Sequence, residues 1–280
     1  MEKIIVLGTG TGGAIESFNT CFVLEDNNGE YFLVDTGGGN GVLRQLKHSS
    51  IDVLKIHNIF ITHKHIDHSY GMLWIYRFID LAMSKGKYEG ILNVYCHDEV
   101  AQILRNQIHT LLRKEQQKFL DKRIFINILN DREHFKVNSY DFEAIDIRAH
   151  SDKQFGFKTI LNNGKKLVFT GDEPLREELQ EEFKNYDWLL HEAFCLESEE
   201  EKFKPREKDH DTVMMVSKKA EKLAIKNLVL WHSQENLGKK RKEIYIAEAK
   251  ENYKGNIFVP DDLDIIELQY GGIYNENYEI

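Results

Sequence analysis

The sequence has few cysteines, few prolines and no long apolar run. It has only three cysteines, which lie far apart and form no C-x-x-C pair, so a disulfide framework is excluded and buried thiols in a reducing compartment are expected. Its three prolines mark no domain boundary, so one domain is expected over residues 1–280. No charged, apolar leader opens the sequence, and no apolar run reaches the ~18 residues that cross a bilayer. We therefore expect a soluble, cytoplasmic protein without membrane partners.

Positive charge is also in deficit. The net charge of -9 argues against a surface that follows nucleic acid throughout, because that affinity comes from lysines and arginines that displace counterions. Local basic runs near residues 218–226 and 239–242 are typical of solvated helix faces.

Short strand-like runs alternate with helical patterns along the chain. β-Branched and aromatic residues at Ile4–Leu7, Cys21–Leu24, Tyr31–Val34 and Ile59–Ile61 predict strands, and Asn-Gly steps near residues 28 and 163 predict hairpins of an antiparallel sheet. Apolar spacing of three and four predicts helices in segments 98–123, 212–224 and 239–253. This alternation indicates an α/β protein with helices on the outer faces of sheets, and a helical insertion is expected around residues 72–123.

A glycine-rich segment, Gly8–Gly13, satisfies the pattern G-x-G-x-x-G after a strand. A dinucleotide-binding loop must also open a helix, whereas the following residues predict a hairpin. The segment is therefore interpreted as a turn near the functional site.

Metal-binding residues are concentrated directly after the strand Ile59–Ile61. Within six residues the chain presents His63, His65, Asp67 and His68. Histidines two apart on an extended segment project to the same side and can bind one metal ion, and a turn into a helix would direct the aspartate and third histidine to a second ion. The same pattern of a strand followed by a ligand recurs at three later positions, namely His150, Asp172 and His232.

These motifs resemble the metallo-β-lactamase superfamily, and within it the branch of transfer-RNA 3′-processing endonucleases (RNase Z) and related phosphodiesterases. The resemblance runs from Gly8 to His232 and rests on the motif after Ile61 together with Val34–Gly37, Thr170–Asp172, His191–Phe194, His210–Thr212 and Leu230–His232. It implies a four-layer αββα sandwich. It also implies two metal ions, one bound by His63, His65 and His150 and the other by Asp67, His68 and His232, with Asp172 bridging and Asp35 orienting. Zinc is expected, with Mn²⁺ and iron as alternatives.

A dinuclear centre lowers the pKa of a shared water and neutralises the charge of an attacked phosphodiester. The resemblance implies that His210, oriented by Glu192, donates the proton to the leaving group, and that Asp67 belongs to the catalytic set; His191 stays unassigned. Phosphodiester hydrolysis is therefore expected ahead of β-lactam opening.

The sequence departs from the transfer-RNA enzymes in one respect that bears on the substrate. Those enzymes carry a long inserted arm that binds RNA. It would lie between His150 and Asp172, where this sequence has only 21 residues. A small or nucleotide-like phosphodiester, such as a cyclic nucleotide, is expected, with an RNA endonuclease as the alternative. Lactone, thioester or redox chemistry and a non-enzymatic binding protein remain further alternatives. The family resemblance also implies a homodimer.

Overall fold

A computed structural model describes residues 1–275. Over these residues the strands are β1 (Lys3–Gly8), β2 (Cys21–Glu25), β3 (Tyr31–Val34), β4 (Ile56–Phe60), β5 (Leu92–Cys96), β6 (Ile124–Ile128), β7 (His134–Val137), β8 (Tyr140–Asp146), β9 (Phe155–Ile160), β10 (Lys166–Phe169), β11 (Trp188–Glu192), β12 (Asn227–Trp231), β13 (Asn256–Phe258), β14 (Asp264–Glu267) and β15 (Ile273–Asn275). The α-helices are α1 (Gly41–His48), α2 (Ile66–Ser69), α3 (Gly71–Ser84), α4 (Asp98–Leu111), α5 (Glu177–Gln180), α6 (Glu200–Phe203), α7 (Val213–Lys222) and α8 (Arg241–Lys250).

The strands form two mixed sheets with the orders β15-β14-β1-β2-β3-β4-β5-β6 and β13-β12-β11-β10-β9-β8-β7. Both predicted hairpins are present, because β2 pairs antiparallel with β3 and β9 with β10. Gly29 and Gly164 hold positive φ angles in their turns, a conformation that glycine adopts without a steric penalty. The expectation of antiparallel pairing holds for only part of each sheet, since β3 to β6 and β10 to β13 run parallel.

Aromatic side chains fill the space between the sheets. Phe22 of β2 stacks on Trp231 of β12 with ring centroids 5.0 Å apart, and Phe60 of β4 meets Phe157 of β9 edge-on at 5.4 Å. Such pairs contribute about 0.5–1.5 kcal/mol each beyond their area burial. Apolar residues of α1, α3 and α4 cover the outer face of the first sheet, and those of α5, α7 and α8 cover the second. The predicted four-layer αββα sandwich is confirmed.

The segment from residue 72 to 123 differs in detail from its prediction. It contains α3 and α4 but also the strand β5, whose five residues sit in the middle of the parallel run of the first sheet. The helix predicted over residues 98–123 ends at Leu111, because Leu112 is extended. The segment therefore contributes both to the sheet and to its outer helical layer.

The two sheets meet at the edge where their parallel strands end. There the amide of Phe155 donates to the carbonyl of Thr62 at 3.0 Å, and that of Ser233 donates to Thr9 at 3.1 Å. Parallel strands bring their carboxyl ends to one edge, so residues that follow β3, β4, β10, β11 and β12 lie together.

Two further sequence expectations are addressed by the described residues. The cysteines at positions 21, 96 and 195 are buried free thiols, as predicted. Every helix within residues 1–275 is too short or too polar to traverse a membrane.

Candidate metal centre

Two groups of potential ligands lie side by side at this edge. His63, His65 and Asp172 form one, and Asp67, His68 and His232 form the other; within each group, one ligand atom per residue lies within 4.8 Å of the rest. The strand β4 ends two residues before Thr62, and the short helix α2 then turns Asp67 and His68 back toward the sheet edge. We call these groups the first and second metal positions.

Asp172 lies between the two positions. Its Oδ2 atom is 3.6 Å from Nε2 of His63, 3.2 Å from Nε2 of His68 and 3.5 Å from Nε2 of His232. One carboxylate oxygen thus faces three imidazole nitrogens that belong to both groups. This is the arrangement expected of a bridging ligand.

The other nitrogen of each of these rings is held by a hydrogen bond. His68 Nδ1 donates to Asp35 at 2.8 Å. Thr62 donates its hydroxyl to Asp35 and so accepts from His63 Nδ1 at 2.9 Å, and Thr20 donates to the carbonyl of Gly10 and accepts from His232 Nδ1 at 3.2 Å. These bonds fix the tautomer that leaves Nε2 free for a metal.

Buried polar atoms without partners support the assignment. Nε2 of His63, Nε2 of His68 and Oδ1 of Asp172 are buried and make no hydrogen bond within the described residues. Burial lowers the pKa of His63 well below its usual value and lowers that of His232 to about 4, so both rings are neutral at pH 7, the form that binds a metal. Unpaired buried polar groups are costly, and divalent cations at the two positions would satisfy all three atoms. The residues therefore fit a dinuclear centre.

Backbone strain is present at two residues of the site. Asp35 and His232 have φ angles of 56° and 53°, in a region that residues other than glycine rarely occupy. Both side chains face the site: Asp35 accepts a hydrogen bond from His68 Nδ1, and Nε2 of His232 lies 3.5 Å from Oδ2 of Asp172. The surrounding sheets therefore hold the backbone in an unfavourable conformation at Asp35 and His232, whose side chains face the site.

The first position is less enclosed than the second. His65 is 42% exposed, and its Nε2 contacts Asp152 at 3.0 Å, so Nδ1 is the nitrogen available to a metal. His68 and His232 are instead almost fully buried. In the second position the glycine-rich loop passes so close to Asp67 that a Cβ at Gly12 would lie 3.0 Å from its carboxylate oxygen. As predicted, this loop opens no helix.

The structure does not bring His150 into either group. Its side chain is 67% exposed, and Nδ1 contacts Asp209 at 3.1 Å. β8 ends at Asp146, and Arg148 has a positive φ, so the chain has left the sheet before His150 is reached. The carboxylate of the buried Glu173 accepts the amide of His150 at 2.9 Å and holds this segment beside the centre. Its role as a ligand stays a prediction.

His210 and Glu192 meet next to the second position. Nδ1 of His210 is 3.6 Å from Oε2 of Glu192, the ring stacks on Phe194 at 4.3 Å, and it lies 5.5 Å from the ring of His232. Burial raises the pKa of Glu192, while the Glu192 carboxylate raises the pKa of His210 against the opposing effect of burial. Glu192 also accepts the amide of Asp211, which fixes the loop that carries His210. The pair can therefore store a proton beside the centre.

His191 has no free nitrogen to offer a metal. Its Nδ1 donates to the carbonyl of Glu192 at 2.7 Å, and its Nε2 accepts the amide of Leu175 at 3.0 Å. Although His191, Glu192 and Asp211 lie close enough to form a third candidate group, both imidazole nitrogens are already used. The side chain ties β11 to the loop that follows Asp172.

Several residues of the site were not predicted from sequence. Thr20, Thr62 and Asp152 contact the histidines of the candidate groups, and Phe194 stacks on His210. Thr62 and Phe194 fall inside the motifs that carry the resemblance, which is the only signal that would have indicated them. No sequence signal indicates Asp152 or Thr20, because their partners are distant in sequence.

Comparisons with known proteins agree on the fold. The model of the family described as "Anti-Pycsar protein Apyc1" matches residues 2–204. Among curated proteins, the Ribonuclease Z of Thermococcus sibiricus is 26% identical over 329 aligned positions, which cover 100% of this chain and 99% of the relative.

Two solved structures give the same result. The metallo-β-lactamase fold protein YhfI of Bacillus subtilis superimposes with a TM-score of 0.72 at 18% identity, covering 94% of this chain and 98% of the other. The short form of human tRNase Z superimposes with a TM-score of 0.70 at 20% identity, covering 95% and 99%. At these identities the superpositions bear on the fold alone. Together with the curated relatives they confirm the expected RNase Z-like resemblance.

Proposed function

The chain belongs to the family described as "Anti-Pycsar protein Apyc1" and is a metal-dependent hydrolase of the metallo-β-lactamase superfamily, and from this premise we propose that it hydrolyses a small or nucleotide-like phosphodiester. One observation carries the proposal: Asp172 lies between two sets of ligands, and His210, backed by Glu192, stands beside one of them. Hydrolysis of a phosphodiester needs both features, because the charge of the phosphate must be neutralised and the leaving oxygen must receive a proton.

The ligand chemistry favours zinc. Imidazole and carboxylate donors suit Zn²⁺, and two such ions would supply a hydroxide at neutral pH and neutralise charge on the phosphate. His63, His65 and Asp172 would hold one ion, and Asp67, His68 and His232 the other. Mn²⁺ and iron are the alternatives, and elemental analysis of the purified protein distinguishes them.

His210 is assigned the proton transfer. Its raised pKa keeps the imidazole charged through neutral pH, and stacking on Phe194 holds the ring in one orientation. Glu192 faces Nδ1, so the opposite nitrogen, Nε2, is the one that delivers the proton to the leaving oxygen. The residue receives its proton back from solvent through its partly exposed side chain, which is 15% accessible.

The experiment is hydrolysis of bis(p-nitrophenyl) phosphate by metal-loaded protein and its His210→Ala variant. Because p-nitrophenolate leaves without a proton, the general acid is tested on a 3′,5′-cyclic nucleoside monophosphate, whose leaving group is an alkoxide. On that substrate we expect kcat to fall about 10²–10⁴-fold with metal content unchanged, the range for loss of a general acid, and on bis(p-nitrophenyl) phosphate we expect a much smaller loss. His134→Ala, which removes an exposed histidine of β7, serves as the control and should not change the rate. No turnover by a wild-type protein that holds two ions per chain would overturn the proposal and favour lactone, thioester or redox chemistry.

Two observations favour a small substrate over RNA. The segment between His150 and Asp172 is filled by the β9–β10 hairpin, whose turn spans only residues 161–165, and leaves no room for an arm. An alignment of 329 positions to a chain of 280 residues also leaves at least 49 positions of the Ribonuclease Z from Thermococcus sibiricus without a counterpart.

An RNA endonuclease is the second candidate, because the curated relatives are named Ribonuclease Z. Parallel assays on the four 3′,5′-cyclic nucleoside monophosphates and on a structured RNA with a 3′ extension separate the two. We expect turnover of a cyclic nucleotide; efficient cleavage of the RNA alone would favour the endonuclease. The homodimer also stays a prediction, which sedimentation of the purified protein tests.

A further inference from the structure

The β1–β2 loop (residues 9–20), which contains most of the glycine-rich segment, runs beside the second metal position. It presents Gly12 to Asp67, yet four of its five residues from 12 to 16 are exposed and have little packing of their own. An exposed segment of this kind opens readily unless hydrogen bonds hold its backbone. The position of the loop beside Asp67 must therefore be set by other contacts.

Glu235, in the loop that follows β12, accepts three successive amides of the β1–β2 loop. Its Oε2 accepts the amide of Ile15 at 2.8 Å, and its Oε1 accepts those of Glu16 at 2.9 Å and Ser17 at 2.5 Å. Partial burial raises the pKa of Glu235, but these hydrogen bonds outweigh burial and hold the pKa below its usual value, so the group is charged at pH 7. Hydrogen bonds to a charged acceptor are about twice as strong as neutral ones. Glu235 therefore fixes the backbone of residues 15–17.

A second carboxylate holds the two ends of the same loop. Asp262, which follows β13, accepts the amide of Phe18 at 2.6 Å and the hydroxyl of Thr9 at 2.9 Å. The loop joins two strands of the first sheet, whereas Glu235 and Asp262 follow strands of the second. The loop is therefore fixed between the two sheets at the edge that carries the metal positions.

The β1–β2 loop forms one wall of the space around Asp67. A turn closed by the bond from the amide of Ala14 to the carbonyl of Thr11 places Gly12 beside Asp67, where a Cβ would lie 3.0 Å from Oδ2 and 3.1 Å from Cγ. Only a residue without a side chain lets the backbone approach so closely. The two histidines of the second position are held by hydrogen bonds at Nδ1, whereas on this side the carboxylate of Asp67 is held by packing against Gly12. The position of the loop thus restricts the direction of this carboxylate.

We propose that Glu235 is a positioning residue of the metal centre: by binding the amides of residues 15–17 it keeps Gly12 against Asp67 and so aims the carboxylate of Asp67 at the second metal position. Glu235 itself belongs to neither ligand group. A carboxylate outside both groups therefore controls the affinity for one of the two ions. The proposal concerns metal binding and does not depend on which substrate is hydrolysed.

The test compares wild type with Glu235→Gln. Glutamine keeps the length of the side chain but replaces one accepting oxygen with an NH₂ group, which cannot accept an amide. At saturating Zn²⁺ we expect hydrogen exchange in the peptide 12–18 to accelerate on the order of tenfold. Competition with a chelator should show one of the two dissociation constants for Zn²⁺ raised on the order of tenfold and the other within about threefold of wild type. Glu243→Gln, at an exposed glutamate of α8, is the matched control.

A second variant, Gly12→Ala, changes the same contact from the other side. It leaves the bonds of Glu235 in place but inserts a methyl group against the carboxylate of Asp67. We expect the same dissociation constant to rise about three- to tenfold, with the exchange of residues 15–17 unchanged. An unchanged constant in this variant would contradict the proposal, because the contact between Gly12 and Asp67 would then have no effect on the ion.

Three results for Glu235→Gln would overturn the proposal. Unchanged exchange would mean that Glu235 does not hold the loop. Faster exchange with both dissociation constants unchanged would mean that the loop is held without directing Asp67. Equal weakening of both ions together with a lower melting temperature would mean that Glu235 only supports the fold. None of these measurements uses a substrate, so they stand whether or not the proposed phosphodiesterase function is correct.

Discussion

The two metal positions of this protein are unequally built. The second position has three candidate ligands, of which His68 and His232 are almost fully buried, and Asp35 and Thr20 hold these two histidines by hydrogen bonds. The first has one buried histidine, His63, and one that is 42% exposed, and the third ligand that the sequence predicts lies outside the group. We therefore expect the second position to bind its ion more tightly, since oriented ligands lose less freedom on binding.

The largest effect is expected from Asp172→Ala, because this residue faces both positions. We expect both ions to be lost and kcat/KM for bis(p-nitrophenyl) phosphate to fall on the order of 10³-fold or more. Elemental analysis after dialysis measures the first effect and steady-state kinetics the second. Asp141→Ala, at an exposed carboxylate of β8, is the control. Retention of one full equivalent of metal would show that the two positions do not share this ligand.

A paired comparison of orienting side chains tests the inequality directly. Thr20→Val removes the partner of His232, and Asp152→Asn changes that of His65. We expect about 10–100-fold weaker metal binding in the first variant, since a buried partner fixes both tautomer and direction. The second should lose only a few-fold, because its ion pair is solvated. Competition with a chromogenic chelator measures both affinities, and equal losses would contradict the comparison.

Residues that closely follow a strand could be predicted from sequence at both positions. His63, His65, Asp67 and His68 are packed into six residues after one strand, so local spacing was sufficient to identify them. His232 follows β12 directly and Asp172 follows β10 by three residues, and parallel pairing carries them to the same edge. These residues are positioned by the regular part of the fold, which periodicity predicts well.

Residues that depend on loops could not be predicted in the same way. His150 follows β8 by four residues, and a left-handed residue in between redirects the chain. Thr20 and Asp152 contact partners that lie close only after folding. The strand β5 was also missed, because its burial alternates over only five residues within a segment dominated by helical spacing. Tertiary context decides all of these positions.

His150 offers the next test of the first position. If it swings from Asp209 to the metal, its loss should leave that position with His63, His65 and Asp172 alone. We expect His150→Ala to weaken metal binding at the first position on the order of 10–100-fold and to lower activity on the order of 10²-fold, while the second position stays filled. Unchanged metal affinity and activity would contradict the prediction that His150 is a ligand. The exposed His134→Ala variant again serves as the control.

The smallest effect should come from Asp209→Ala. This carboxylate contacts His150 at 3.1 Å and so competes with the metal for the same imidazole. Removing it should strengthen binding at the first position, but only up to about fivefold, because an exposed pair contributes at most about 1 kcal/mol. Zinc titration followed by calorimetry resolves such a change if the second position is filled beforehand. Weaker binding would instead mean that Asp209 orients His150 toward the metal, as Asp35 orients His68, and the two positions would then be built alike.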